Sequence, residues 1–327
     1  MILKLAIFGA GMIVKDFLTM IDDLPEIKLN AIMGVENDLP IMKQFQAEHH
    51  IKAVYTDVDE CLQRADIDTV YVALPNFLHY KFAKLALEAG KNVICEKPFT
   101  LNSQQLAELR DLAEAKHLIL VEAITNQYLT NYRDLKQDLK QLGDLKVVEC
   151  NYSQYSHRYD AFMAGKILPV FDPKKGGGAL MDLNIYNIHF IVGLLGAPAK
   201  VHYYANVERG VDTSGVLVLD YPGTKVVCIA AKDCSAEVTS TIQGNKGSIV
   251  VEGPTNVLDS YDKKLNGESS LHIDKKVYPH RMYEEFQEFN KIIENKDLAT
   301  AASRMDHSVA VMKVVDAALA DAQIRLG

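Results

Sequence analysis

Two things are scarce in this 327-residue chain: cysteine, and clustered positive charge. No stretch interleaves lysine and arginine with aromatics, and the formal net charge is -8, so a nucleic-acid surface has nothing to rest on. The five cysteines, Cys61, Cys95, Cys150, Cys228 and Cys234, form no Cys-x-x-Cys pair and no Cys/His ligand spacing. That excludes the usual sequence patterns of a metal centre and reads as reduced thiols in a cytoplasmic protein. No apolar stretch approaches the roughly 20 residues a membrane-spanning helix needs. Lys4 and the apolar run after it resemble a leader peptide only until Lys15 and Asp16 interrupt them. Repeats and low-complexity linkers are also missing.

What remains is a globular composition, 48% apolar and 24% charged, in a chain long enough for about two domains. Ile2 to Phe8 is a β-rich run followed by Gly9-Ala10-Gly11-Met12-Ile13-Val14 and an amphipathic stretch, hence strand, glycine turn and helix. A Gly-x-Gly there lets the backbone turn tightly and approach a pyrophosphate, although Val14 replaces the third glycine of the fingerprint. The next strand, Lys28 to Val35, ends at Glu36, about 25 residues beyond Gly11, where an acid meets the adenosine ribose. No cation adjoins Glu36, which favours NAD over NADP, with NADP not excluded and an exposed loop glutamate the open alternative.

Strand and helix patterns then alternate: helix 41–49, strand 52–55, helix 58–64, strand 69–74, helix 80–89 closed by Gly90, strand 93–95, helix 103–117 and strand 119–122. This implies α/β architecture, a Rossmann parallel sheet over residues 1–122. Pro75-Asn76-Phe77-Leu78-His79 follows one strand end, and Glu96-Lys97-Pro98 stops another, placing a lysine where such sheets bind ligands.

Residues 123–327 read differently, as an α+β domain with a mostly antiparallel open sheet. A helix at 129–142 precedes β-rich runs at 146–155, 202–208, 215–221, 225–231, 237–242 and 247–252, and helices 281–295 and 303–324 follow. Pro222-Gly223 and Gly244-Asn245 mark turns. Between these elements, Gly176-Gly177-Gly178 open a helix on which Asp182, Tyr186 and His189 are spaced by four and three and share a face. Carboxylate, phenol and imidazole are the residue types of a proton-transfer site.

Gly9-Ala10-Gly11, Pro75-Asn76 with His79, Glu96-Lys97-Pro98, and Gly177-Gly178-Ala179-Leu180-Met181-Asp182 with Tyr186 together resemble the glucose-fructose oxidoreductase, inositol dehydrogenase and MocA family along essentially the whole chain. The resemblance implies hydride transfer between nicotinamide and a carbohydrate, polyol or diol carbon. It implies Lys97, Asp182 and Tyr186 as catalytic residues. Gly9, Ala10, Gly11, Met12, Ile13, Glu36, Pro75, Asn76, His79, Glu96 and Lys97 would contact the cofactor. Tyrosine at 186, in place of histidine, looks like the dihydrodiol and xylose dehydrogenases. Asn184 replaces a usual glycine, and Gln127-Tyr128-Leu129-Thr130 replaces a frequent Arg-Phe-x-Pro pattern. Arg158 and Tyr159, in a loop after Tyr155, and His189 are the candidates for substrate contact. The resemblance further implies a cis bond before Pro98 and a homodimer or homotetramer formed through the C-terminal sheet. An NAD-using glycoside hydrolase and a nucleotide-binding sensor are the alternative classes.

Overall fold

The structure, a computed structural model, describes residues 2–327. Two compact units emerge: the first runs to Thr100 and adds Gln104–Ala123 and Glu285–Val309, and the second holds Leu101–Ser103, Ile124–Glu284 and Ala310–Gly327.

In the first unit, β1 (Leu3–Phe8), α1 (Met12–Leu18), β2 (Ile27–Met33), α2 (Leu39–His49), β3 (Ala53–Tyr55), α3 (Val58–Leu62), β4 (Thr69–Val72), α4 (Asn76–Glu88), β5 (Asn92–Glu96), α5 (Ser103–Ala115) and β6 (Leu120–Ala123) alternate as expected. The strands form one parallel sheet in the order β3-β2-β1-β4-β5-β6. The central strands are apolar because helices cover both faces, and β4 is buried throughout. The order reverses between β1 and β4, so a crevice opens at their carboxyl ends.

α4 starts at Asn76 rather than at Tyr80. Pro75, with φ -57°, is set for a helix entry and supplies no N–H that would need a partner. At the other end Gly90, with φ +77°, donates to Leu87 O while Lys91 N–H reaches Ala86 O, the double bond pattern of a glycine-terminated helix.

The second unit carries α6 (Thr130–Asp138), β7 (Leu145–Ser153), α7 (His157–Met163), a π-helical turn at Leu180–Asn184, α8 (Ile185–Leu195) and seven more strands: β8 (Lys200–Glu208), β9 (Val211–Tyr221), β10 (Thr224–Ala231), β11 (Thr239–Gly244), β12 (Gly247–Glu252), β13 (Tyr261–Leu265) and β14 (Leu271–Ile273). The sheet order is β14-β13-β12-β11-β7-β10-β9-β8, antiparallel except where β7 meets β10. One face buries Val148, Cys150, Leu217, Leu219, Val226 and Cys228. On the opposite face Tyr204, Val216, Ile229 and Asn151 line up across four strands, with Tyr204 69% exposed.

α9 (Tyr283–Glu294) and α10 (Leu298–Asp321) close the chain. The sequence reading groups 285–309 with the second domain, whereas these residues cluster with the parallel sheet. Aromatic packing accounts for it: the Phe286 ring lies 4.4 Å from that of Phe17 and 5.1 Å from that of Tyr71. α10 also begins earlier than expected, because Asp297 caps it, accepting from Thr300 N–H and Thr300 Oγ1. By length and composition alone, one helical stretch, Pro173–Leu195, is after all apolar enough to cross a bilayer, but 72% of its most apolar 18 residues, of mean hydropathy 1.3, are buried inside the protein.

Candidate active site

At the carboxyl edge of the parallel sheet, the β1–α1 turn needs its first glycine twice over. Gly9 has φ +119°, and a Cβ there would lie 2.4 Å from Ala73 O. Gly11 meets nothing within 4 Å at the same test, so the space before the turn is open. Ala10 and Ile13 are half-buried and Met12 is 74% exposed. An open glycine turn leading into a helix fits a dinucleotide pyrophosphate. Glu36 stands just beyond β2, exposed, its Oε1 accepting from the Thr56 hydroxyl at 2.8 Å.

Pro75 caps α4 and Asn76 begins it beside the end of β4, while Glu96 ends β5, the neighbouring strand, and Lys97 follows directly. Glu96 is buried. Its Oε1 accepts from Tyr71 OH at 2.6 Å and its Oε2 from Lys97 N–H at 3.3 Å, which orients the carboxylate. The Lys97 side chain is half-buried, and the Lys97–Pro98 bond is cis, as expected.

His79 calls for a correction. Its ring is buried and faces two backbone carbonyls, Nδ1 to Pro98 O at 2.9 Å and Nε2 to Leu74 O at 2.6 Å. Burial holds its pKa down against those two carbonyls, and a neutral ring donates through only one nitrogen. Nothing of the ring is left for a cofactor. Its work is to tie the ends of β4 and β5 together.

In the second unit, the glycine loop is shaped by close backbone approach. A Cβ on Gly177 would come 2.7 Å from Pro169 O, and one on Gly178, which has φ +123°, would come 2.1 Å from Asp212 Oδ1. Asp212 anchors the helix entry, its Oδ2 accepting from Leu180 N–H at 2.6 Å and Tyr203 OH at 2.7 Å. Burial pushes its carboxyl pKa up to about 6.

The helix then opens with the π-helical turn, which changes the register assumed from straight helical spacing. Asn184 accounts for its own presence in place of glycine: fully buried, it donates from Nδ2 to Cys228 O and accepts at Oδ1 from Asn187. Asp182 is 34% exposed and paired with Lys232 at 2.8 Å. Tyr186 is 8% exposed, with its ring 6.1 Å from that of Tyr152. His189 has no accessible surface, which removes it from the side chains a substrate can touch. Asn126 and Gln127, left unassigned by the sequence, donate to the carbonyls of Tyr186 and His189 and so hold α8 in place.

Arg158 and Tyr159 lie on α7 rather than in a loop, because Ser156 caps that helix through its hydroxyl. Arg158 is exposed. Tyr159 is half-buried against Phe162 and Phe171, and its hydroxyl donates to Glu208 at 3.1 Å. Lys232 and Asp212 escaped the sequence reading. The signal for Lys232 was present, since it too is a lysine directly after an apolar strand.

The open glycine turn at the switch point of a six-stranded parallel sheet defines a dinucleotide-binding fold. Residues 3–124 match the oxidoreductase family with NAD-binding Rossmann fold, and residues 133–250 match the GFO/IDH/MocA C-terminal domain. The chain belongs to this family. Among its relatives, scyllo-inositol 2-dehydrogenase (NADP(+)) of Bacillus subtilis is 32% identical over 97% of this chain and 96% of its own length. A trans-1,2-dihydrobenzene-1,2-diol dehydrogenase of Bos taurus is 31% identical over 76% of this chain and 73% of its own length. In fold, a 3-ketoreductase from Actinomadura kijaniata, solved with NADP and TDP-benzene, superposes with TM-score 0.85 at 19% identity, over 98% of both chains.

Proposed function

We propose that this protein moves hydride between a nicotinamide dinucleotide and a carbinol carbon of a polyol, sugar or vicinal diol. The observation that carries the reading is the single sheet edge on which the Gly9–Gly11 turn, Asn76, Glu96 and Lys97 all stand. Such an edge supports one elongated ligand lying across several strand ends. The relatives that oxidise inositol and dihydrodiols support the substrate class.

When bound, the dinucleotide supplies the hydride acceptor or donor. Gly9, Ala10, Gly11, Met12 and Ile13 line its pyrophosphate, and Asn76 and Glu96 its nicotinamide ribose, with Pro75 shaping the turn. Lys97 polarises the reacting oxygen and stabilises negative charge on it. Tyr186 takes the hydroxyl proton in oxidation and returns it in reduction. Asp182 holds a substrate hydroxyl, and Arg158 and Tyr159 face the rest of the substrate. Glu36, without a neighbouring cation, favours NAD. The half-apolar outer face around Tyr204 and Val216 supports a homodimer or homotetramer, and the unpaired cysteine pattern supports a cytoplasmic setting.

The test is a panel of inositols, aldoses and trans-cyclohexane-1,2-diol with NAD+ and NADP+, followed at the nicotinamide absorbance band. Steady cofactor reduction with at least one carbinol is expected. Release of sugar from glycosides without net cofactor reduction would move the reading to glycoside cleavage, and inertness to the whole panel would overturn it.

A further inference from the structure

Lys232 follows β10 directly and is held by its own backbone: its N–H donates to Thr213 O at 2.8 Å, and its carbonyl accepts from Ser156 N–H at 2.9 Å. Its side chain is 3% exposed. The ammonium donates to Asp182 Oδ2 at 2.8 Å and to Val170 O at 2.9 Å, and it lies 4.6 Å from the centre of the Phe171 ring. One buried cation therefore joins three segments: the end of β10, the turn at Pro169–Phe171, and the π-helical turn that bears Asp182.

Burying a lysine is costly, and an apolar side chain of similar volume usually stabilises a fold as well or better. Asp182, a third exposed, could be solvated without any such partner. Fold stability alone thus gives little reason for the pair. Orientation gives a better one, since the lysine is fixed at both ends while the carboxylate stands at the protein surface. The Phe171 ring under the ammonium also stacks on Phe162, 5.0 Å away, in the helix that carries Arg158 and Tyr159.

We propose that Lys232 is a positioning residue: it fixes the orientation and charge of the Asp182 carboxylate toward substrate while anchoring the Pro169–Phe171 turn beneath α7. The inference rests on the assignment of Asp182 to the reaction.

The experiment is a double-mutant cycle of Lys232→Met, Asp182→Asn and the combined variant, with Lys232→Arg as the charge-conserving control. It is read by turnover of the fastest carbinol from the panel, by calorimetric NAD+ affinity, and by a crystal structure of Lys232→Met. Because a displacement near 1 Å is enough to cost about 100-fold, Lys232→Met should lower kcat by about 10- to 100-fold. NAD+ affinity should stay within about 2-fold, and adding Lys232→Met to Asp182→Asn should cost less than about 3-fold more, the signature of coupled residues. Lys232→Arg should recover part of the loss, and the Lys232→Met crystal should show the Asp182 carboxylate turned. Equal losses on both backgrounds would mean that Lys232 acts on the fold at large and would overturn the proposal. So would an unturned carboxylate with unchanged turnover. Wild-type turnover in Asp182→Asn would instead remove Asp182 from the reaction, and this inference with it, a result distinguishable from an inert Lys232→Met alone.

Discussion

The Tyr71 hydroxyl donates to Glu96 Oε1 at 2.6 Å, linking β4 to the last residue of β5 one position before Lys97. The Tyr71 ring is fully buried against Phe17 and Phe286, so the hydroxyl has little freedom to move. Aromatic packing thereby transmits its rigidity to a carboxylate at the sheet edge. Tyr71→Phe keeps the ring and deletes the donor. It should cost about 1 to 3 kcal/mol of stability, the usual penalty for depriving a buried acceptor of its partner. Denaturant unfolding measures this, and calorimetry should show weaker dinucleotide binding as Glu96 loses its orientation.

The proposed preference for NAD rests on Glu36, whose Oε1 accepts from the Thr56 hydroxyl at 2.8 Å. A 2'-phosphate would meet that carboxylate and Asp38 nearby, with no lysine or arginine from Gly34 to Leu39. NAD+ should therefore bind more tightly than NADP+, and Glu36→Ala should narrow the gap by relieving repulsion. Titration of both nucleotides decides it, and tighter NADP+ binding by the wild-type protein would reverse the assignment.

Asp212 predicts a pH dependence of stability. Its folded pKa, about 6, lies above its ordinary value of 3.8 because burial outweighs the bonds from Tyr203 and Leu180. The folded state thus holds the proton more tightly than the unfolded chain. The contribution of this group is fully present below about pH 4 and is lost as pH rises through about 6. Asp212→Asn keeps an acceptor oxygen without the charge. Relative to wild type it should gain about 2 to 3 kcal/mol between pH 4 and pH 7, seen by denaturant unfolding at both. A pH-independent difference would mean that Asp212 does not titrate in this range.

The parallel sheet was legible because its central strands are largely buried and read as apolar runs, as in β1, where Lys4 is the one charged residue from Ile2 to Phe8. β13 and β14 were not: Tyr261–Leu265 is mostly charged, as suits strands near a sheet edge, and hides the alternation. Periodicity placed Asp182, Tyr186 and His189 on one helix but could not reveal the π-helical turn, which depends on tertiary bonds such as that from Asn184 to Cys228 O. Nor could it separate Tyr186 from the buried His189, since exposure depends on what covers the helix. The Lys232–Asp182 pair joins residues 50 positions apart, a relationship that local pattern cannot express.

The division of labour between Lys97, Tyr186 and His189 gives the last prediction. An oriented cation that stabilises developing charge typically contributes about 100- to 1,000-fold in rate, so Lys97→Met should lower turnover by that much and leave NAD+ affinity nearly intact. Tyr186→Phe changes only a hydroxyl on a ring already packed near Tyr152, so the fold should survive. If the phenol carries the proton, its loss should lower kcat by about 100-fold or more, the range of acid–base catalysis. His189→Asn should act elsewhere: the ring is wholly buried, so its replacement should reduce the unfolding midpoint while the surviving folded protein keeps most of its turnover. Measuring kcat and thermal midpoints for all three variants separates the roles. A large kcat loss in His189→Asn without loss of stability, beside an active Tyr186→Phe, would hand the proton to the imidazole.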